Sequence, residues 1–450
     1  MIAVAKGVFA PGHLGELTQI VPFEMVDAVL AETGRTQQRL RMLPSRVVVY
    51  LLLAAGLFAE VGYLGVWDKL VAGLDGLGLA RPSGTALWHA RIRVGVKPLR
   101  ALFDLLRGPA ASVGTAGVWW CGLLVAAIDG TVLDVPDSPI NRAHLGRHRS
   151  QHGTAGYPQI RLVALVACGT RAVIDAVFGP KSDGETTQAM RLLRSLHTGM
   201  IVLLDRGFDS NAFLGAVAAA DADFLVRLTG NRKPPMLRRY RDGSYLSMIA
   251  GVRVRIIECE ITISTTAGTH TGVYRLATTL LAYQRFPALQ VVKLYHERWE
   301  VESTYLEIKS TLLGRRVLRS PHPALIAQEI YSLLAVYQVV RIAIADATAV
   351  VRADPDRASF TIAVQTARDL IVQAVNVIAG TTIDLIGTVG RHLLNNLMPT
   401  RRLRISPRAV KRPLSRYAYK SLGIDRKSYL ATLNIDILAG QPALTNQDDP

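Results

Sequence analysis

Cysteine is scarce in this chain: Cys121, Cys168 and Cys259 are the only three in 450 residues, and no two form a CxxC pair. A disulfide framework and a thiolate metal cage are therefore excluded, and buried thiols in a reducing compartment are expected. Two apolar runs invite a check against membrane spans. Val47–Ala59 and Gly117–Ile128 both fall short of the ~20 residues that span hydrocarbon, so both read as buried core elements. The N-terminus offers only Lys6 as a basic element and no convincing signal peptide, so a soluble intracellular protein without a membrane partner is expected. No GxxxxGK loop is present, so nothing implies nucleotide hydrolysis. Acidic residues are in deficit, with 35 Asp and Glu against 52 Lys and Arg, a formal charge of +17. A polyanion suits that balance, because each neutralised phosphate releases counterions.

Half of the residues are apolar, enough to fold nearly all of the chain, and the length calls for more than one domain. Residues 1–115 read as helical. Val21–Ala31 is one candidate helix, the run after Pro44-Ser45 a second, and Ser83 or Thr85 caps a third. That third segment carries Arg91, Arg93, Lys97 and Arg100 beside Trp88 and Ile92, a basic amphipathic pattern that a DNA-reading module and many small helical domains share.

From Trp119 the texture changes to strands. Leu123–Ile128 runs into Asp129-Gly130-Thr131, and Met200–Leu204 runs into Asp205-Arg206-Gly207-Phe208, so two acids stand where buried strands end. Ile160–Val166 and Val173–Phe178 read as strands, and Thr186–Leu196 as a helix. The histidines among Arg142–His152 are loosely spaced without carboxylates or cysteines, which favours a solvated loop over a metal site. Residues 229–290 lose helical periodicity and read as a β insertion. Helices return from Pro287 to about Ile344 and again over 345–390. A basic arm with Lys411, Arg412, Pro407 and Pro413 follows.

The most informative segment is Tyr295-His296-Glu297-Arg298-Trp299-Glu300-Val301-Glu302, continuing to Lys309. On an ideal helix Tyr295, Arg298, Glu302 and Lys309 share a stripe about 60° wide and about 21 Å long. A phosphate backbone laid along the helix would suit that stripe, with the carboxylate left for metal. By spacing alone, a salt-bridged surface helix is the simpler account. Trp299 lies off the stripe, where a buried core position and stacking on a displaced base are both open.

Tyr295, Arg298, Glu302 and Lys309 together resemble the Y-R-E-K signature of the IS4 superfamily of bacterial insertion-sequence transposases. Asp129-Gly130-Thr131 resembles that family's first catalytic aspartate, and Leu204-Asp205-Arg206-Gly207-Phe208 its second. Tyr157-Pro158, Arg319-Ser320, Glu329-Ile330-Tyr331 and the Lys411-Arg412-Pro413 arm are also similar. The resemblance covers residues 45 to 415 with its blocks in order.

It implies an α/β fold: an RNase H-like (retroviral integrase-like) catalytic domain with a mostly β insertion, plus an N-terminal helical DNA-binding domain. The domains expected are 1–115, 116–344 with the insertion at 229–290, and a C-terminal helical region and basic arm at 345–450. It further implies a cut-and-paste DNA transposase with Asp129, Asp205 and Glu302 as catalytic metal ligands. Two Mg²⁺ ions are the implied cofactor, with Mn²⁺ able to substitute. Tyr295, Arg298 and Lys309 would grip phosphates, and Arg91, Arg93, Lys411 and Arg412 would add DNA contacts. The partners implied are terminal inverted repeats and target DNA, bound by a homodimer in a bacterial cytoplasm. Two alternatives stay open on the motifs: an RNase H-like nuclease without strand transfer, and a binding-only relative.

Overall fold

The computed structural model describes residues 13–37, 42–74, 79–146, 149–150, 153–154, 156–265, 268–373, 387–399, 404–405, 429–430 and 432–438. In chain order, five helices come first: α1 (Phe23–Glu32), α2 (Ser45–Leu57), α3 (Tyr63–Val71), α4 (Gly84–Val94) and α5 (Lys97–Leu106). The principal strands are β1 (Leu123–Asp134), β2 (Gln159–Ala167), β3 (Val173–Pro180), β4 (Met200–Leu204), β5 (Asp223–Arg227), β6 (Tyr245–Ile249), β7 (Val252–Thr265) and β8 (Gly268–Thr278). Then follow α6 (Ala288–Tyr295), α7 (Trp299–Leu306), α8 (Pro323–Val350), α9 (Phe360–Val372), α10 (Gly387–Leu394) and strand β9 (Thr432–Ile437). These elements divide into two compact units, with breaks at Leu204/Asp205, Ala218/Ala219, Ala222/Asp223, His296/Glu297 and Met398/Pro399.

The first unit holds a mixed sheet of order β3-β2-β1-β4. β1 runs antiparallel to β2, in a register that pairs Asp129 with Ala164, and parallel to β4, with Ala127 beside Leu203. Leu124 to Ile128 are all buried, as expected of a central strand covered on both faces. Beyond Ala127 only β2 still pairs with β1, so the strand emerges from the core at Asp129.

In the same unit α2, α5, α9 and α10 pack against α8. Ser83 caps α4, its hydroxyl accepting from Ala86 N at 3.1 Å, and Gly95, at φ 68°, ends it in the left-handed region. The α2 run from Val47 to Leu57 is buried all round, the pattern of a core helix. At 28 residues α8 is long and apolar enough to cross a bilayer, but 72% of its apolar window is buried in the protein, where it packs on α2 and α5. It runs past the Ile344 limit expected from sequence. Arg142 belongs to a short helix, Pro139–Leu145, where a loop was expected, and the arm residues Lys411 and Arg412 lie outside the described residues.

The second unit is mostly β. Strand β7 pairs along its length with β8, while β6 and β9 share its other edge, β6 at residues 252–256 and β9 at 259–264. The period-2 pattern over Val252–Ile263 produced the expectation of β structure here, and the β7–β8 ladder ends with Thr265 paired to Gly268.

One expectation about a side chain needs correction, and one position left open is decided. Cys121 is exposed, since its φ of 50° places it in a tight turn before β1; only Cys168 and Cys259 are buried, and burial pushes the Cys259 thiol up to about 11. Trp299 is 44% exposed, with the Arg298 guanidinium 5.5 Å from its ring centre, so it is not a core tryptophan.

Candidate active site

Asp129 sits where β1 loses its second neighbour, so its side chain leaves the core half-buried. Its Oδ1 accepts from Gly130 N at 2.8 Å. The glutamate segment is not one ideal helix. It consists of α6 up to Tyr295, a 3₁₀ turn over His296–Arg298, α7 up to Leu306, and a π turn over Glu307–Leu312. A Leu313 N to Ile308 O bond of 3.0 Å closes the wide turn. Such turns recur where a side chain must be re-aimed, and this one carries Lys309.

Three contacts bring the segment onto β1. The Arg298 guanidinium lies 3.0 Å from Glu302 Oε1 and 3.7 Å from Asp129 Oδ2, joining the two carboxylates through one cation. Lys309 Nζ donates to Thr131 Oγ1 at 3.3 Å. Asp129 and Thr131 share a face of β1, so Asp129, Arg298, Glu302 and Lys309 gather on that face. The third contact, which no motif or spacing singles out, is Tyr305. Its buried hydroxyl donates to the Asp129 carbonyl at 2.5 Å and accepts from Ala164 N at 3.0 Å. Burial, then the Asp129 charge, raises the Tyr305 pKa far above that of a free phenol, so the hydroxyl keeps its proton.

Behind α7 lies a buried ion network. Arg171, at φ 58° in the β2–β3 turn, pairs with Glu300, Glu307 and Asp356, and Arg341 pairs with Glu307. Burial opposes the Arg171 charge, but Glu307 and Glu300 outweigh it and raise its pKa. The Glu307 carboxyl is held below its usual range despite burial, because Arg341 and Arg171 face it. Glu300 and Glu307 flank Glu302 in sequence, so this network anchors the back of the glutamate helix.

Asp205 and Tyr295 belong to the second unit. Asp205 caps the turn after β4, its Oδ1 accepting from Gly207 N at 2.7 Å. Asp209 secures that turn. Its carboxylate accepts from Thr229 N at 2.8 Å and Thr229 Oγ1 at 3.0 Å, and pairs with Arg232 at 2.6 Å. Tyr295 is half-buried at the end of α6.

Arg91 is not placed to touch DNA. It is 4% exposed, stacks on Tyr63 at 3.8 Å, and donates to Ser320 Oγ at 2.7 Å and Gln328 Oε1 at 3.3 Å. The amphipathic reading failed because α4 packs its Arg91 face inward. Arg93, two residues on, is half-buried and donates to Leu43 O at 3.4 Å. Arg319 is likewise structural. It donates to the Ala55, Phe58 and Val61 carbonyls that end α2 and follow it, and pairs with Glu329 at 3.3 Å.

Asp129 and Glu302 offer hard carboxylate oxygens, 18% and 21% exposed, already arranged about a positive charge. That donor chemistry fits a divalent cation. Among the described residues no three His, Cys, Asp or Glu side chains are grouped as a metal site.

A carboxylate leaving the central strand of a mixed sheet, facing a second on a packed helix with basic neighbours, is an arrangement in keeping with an RNase H-like α/β fold. Comparison with known proteins agrees. Residues 11–104 match the family described as insertion element 4 transposase N-terminal, and residues 120–339 match the transposase DDE domain. The transposase InsG for insertion sequence element IS4 of Escherichia coli (strain K12) is 28% identical over 337 residues, covering 71% of this chain and 74% of that protein. The putative transposase InsZ of the same organism is 29% identical over 196 residues, covering 43% of this chain and 64% of that protein. A solved piggyBac transposase synaptic complex with hairpin DNA aligns at a TM-score of 0.42 and 12% identity, over 86% of this chain and 85% of that one. The chain belongs to the IS4 family of DDE transposases. It is a DNA-cleaving and strand-transferring enzyme of a class that generally uses divalent metal ions.

Proposed function

We propose that Asp129, Asp205 and Glu302 are the catalytic carboxylates, holding two Mg²⁺ ions, or Mn²⁺ in their place, for cut-and-paste transposition. The observation that carries this reading is the Arg298 bridge between Asp129 and Glu302 on one face of β1. The parallel register of β1 on β4 supports adding Asp205. Asp205 directly follows β4, and Asp129 lies two residues beyond the last β1 residue that pairs with that strand. Divalent ions, when bound, supply charge relief and lower the pKa of the attacking water.

The chain's own residues hold and orient. Arg298 presents two parallel donors to a phosphate and Lys309 a point charge, so each has its own task along the DNA backbone. Tyr295 and Arg93 are the other proposed DNA contacts. In the first step, water forms a P–O bond while the bond to the 3′ oxygen breaks, freeing a 3′ hydroxyl. In the second, that hydroxyl forms a P–O bond in target DNA while another 3′ oxygen departs. Bond count is conserved, so no nucleotide is consumed. The substrate we infer is double-stranded DNA bearing terminal inverted repeats, held by a homodimer in the bacterial cytoplasm with the N-terminal helices contributing to end binding.

The test is cleavage and strand transfer of labelled DNA carrying the sequences that flank the gene, with Mg²⁺. Wild type should cut and join, while Asp129→Asn, Asp205→Asn and Glu302→Gln bind the DNA and do neither. Cleavage that survives any of these substitutions removes that residue from the catalytic set, and nicking without joining by wild type would favour a nuclease.

A further inference from the structure

Tyr305 lies one helical turn beyond Glu302, and its hydroxyl reaches the backbone of the strand that carries Asp129. The rung it meets can be identified. Cys168 N donates to Val125 O and Val135 N to Pro158 O, which sets the alternation of the β1–β2 ladder. By that alternation Asp129 and Ala164 form a hydrogen-bonding rung, in which Ala164 N faces the Asp129 carbonyl. The Tyr305 hydroxyl engages both groups of this rung, accepting from Ala164 N at 3.0 Å and donating to Asp129 O at 2.5 Å. A buried tyrosine needs some polar partner, and any carbonyl would satisfy it. Here the partner is the backbone of Asp129 itself. Arg298 also links helix and strand, but through the carboxylates, which a bound cation would claim. The Tyr305 bonds are to backbone and persist whatever the carboxylates hold.

We propose that Tyr305 is a positioning residue that fixes the distance between the Asp129 and Glu302 carboxylates by tying α7 to the Asp129 rung of β1. This rests on the reading of Asp129 and Glu302 as metal-holding acids. Such a site tolerates misplacement of only about 0.5 Å, and loss of a group that orients ligands costs about 10- to 100-fold in metal affinity or activity.

The experiment titrates Mg²⁺ against first-strand cleavage by full-length Tyr305→Phe, which keeps the ring and removes the hydroxyl. Asp129→Asn and Tyr245→Phe are run beside it. Tyr245 serves as control because its buried hydroxyl, 3.2 Å from Glu258 Oε1, belongs to the second unit and touches neither α7 nor β1. The proposal predicts a half-saturating Mg²⁺ concentration raised about 10-fold or more in Tyr305→Phe, partly rescued by Mn²⁺, with DNA-end binding unchanged. Tyr245→Phe should show no such shift. An unshifted metal dependence in Tyr305→Phe overturns the proposal, as does an equal shift in Tyr245→Phe or a Tyr305→Phe chain that does not fold. The reading beneath it fails separately, if Asp129→Asn still cleaves.

Discussion

Arg298 Nη2 stands 3.0 Å from Glu302 Oε1, one helical turn away, while Nη1 of the same guanidinium faces Asp129 on β1. A single cation thus holds the two acids in the arrangement proposed to bind metal. Arg298 and a divalent ion compete for the same oxygens, and DNA phosphate competes with those oxygens for Arg298. End binding and metal binding should therefore reinforce each other.

Replacing Arg298 with alanine should separate these effects. In DNA-free protein the variant should bind Mn²⁺ more tightly than wild type, by several-fold, because a competing cation is gone. On transposon-end DNA its cleavage rate should drop by about 10²-fold, the scale of a lost transition-state contact. Titration calorimetry and single-turnover cleavage read the two effects; weaker Mn²⁺ binding by the free variant would contradict the competition.

Arg171→Met should destabilise the first unit by about 3–5 kcal/mol, because it leaves Glu300, Glu307 and Asp356 buried without their common cation. Denaturant unfolding measures this. A loss under about 1 kcal/mol would mean that the network does not anchor α7.

Arg91→Ala should lower the thermal midpoint without changing the salt slope of DNA-end binding, since Arg91 is bonded to Ser320 and Gln328 in the interior. Lys309→Ala should reduce that slope by about 1, as expected for one lost phosphate contact. A reduced slope for Arg91→Ala would put that residue back on the DNA.

Acid should weaken the N-terminal helical region through His13. This side chain is fully buried; Nε2 lies 2.9 Å from Leu70 O, and Nδ1 accepts from Gly15 N at 3.2 Å. Only the neutral ring with its proton on Nε2 suits both partners, and burial lowers its pKa despite the Leu70 bond. The unfolded chain therefore takes up this proton more readily. Stability from His13 is present in full above the unfolded pKa of about 6.5 and declines as pH falls below it. Melting between pH 7.5 and 5.0 should show a decline that His13→Gln reduces.

Asp129, Arg298, Glu302 and Lys309 could be singled out in the sequence by their resemblance to a family signature, whereas their spacing alone pointed to a salt-bridged surface helix. The β structure within 229–290 was legible from the residues themselves, through period-2 alternation in β7. The straight wheel drawn through Tyr295–Lys309 was not accurate. The 3₁₀ and π turns that interrupt it arise where tertiary contacts hold the segment, as at Glu307, and helical periodicity carries no trace of them. Arg91 misled because an arginine on an amphipathic helix looks the same whether it meets phosphate or a buried Gln328. Tyr305 was invisible because its partner, Asp129, lies on a distant strand. Asp209 and Arg232 escaped similarly, since a helix (Asn211–Ala219) and β5 separate them in the chain.

On the proposed function, Asp129, Asp205 and Glu302 hold the same metal ions. Substituting Fe²⁺ for Mg²⁺ in the DNA-bound enzyme and adding ascorbate and peroxide cuts the polypeptide next to bound metal, and mass spectrometry locates the cuts. Breaks should cluster around residues 129, 205 and 302, all suppressed together by excess Mg²⁺ and lost together in Asp129→Asn. Breaks at only one or two of the three positions, or clustered elsewhere in the chain, would contradict it.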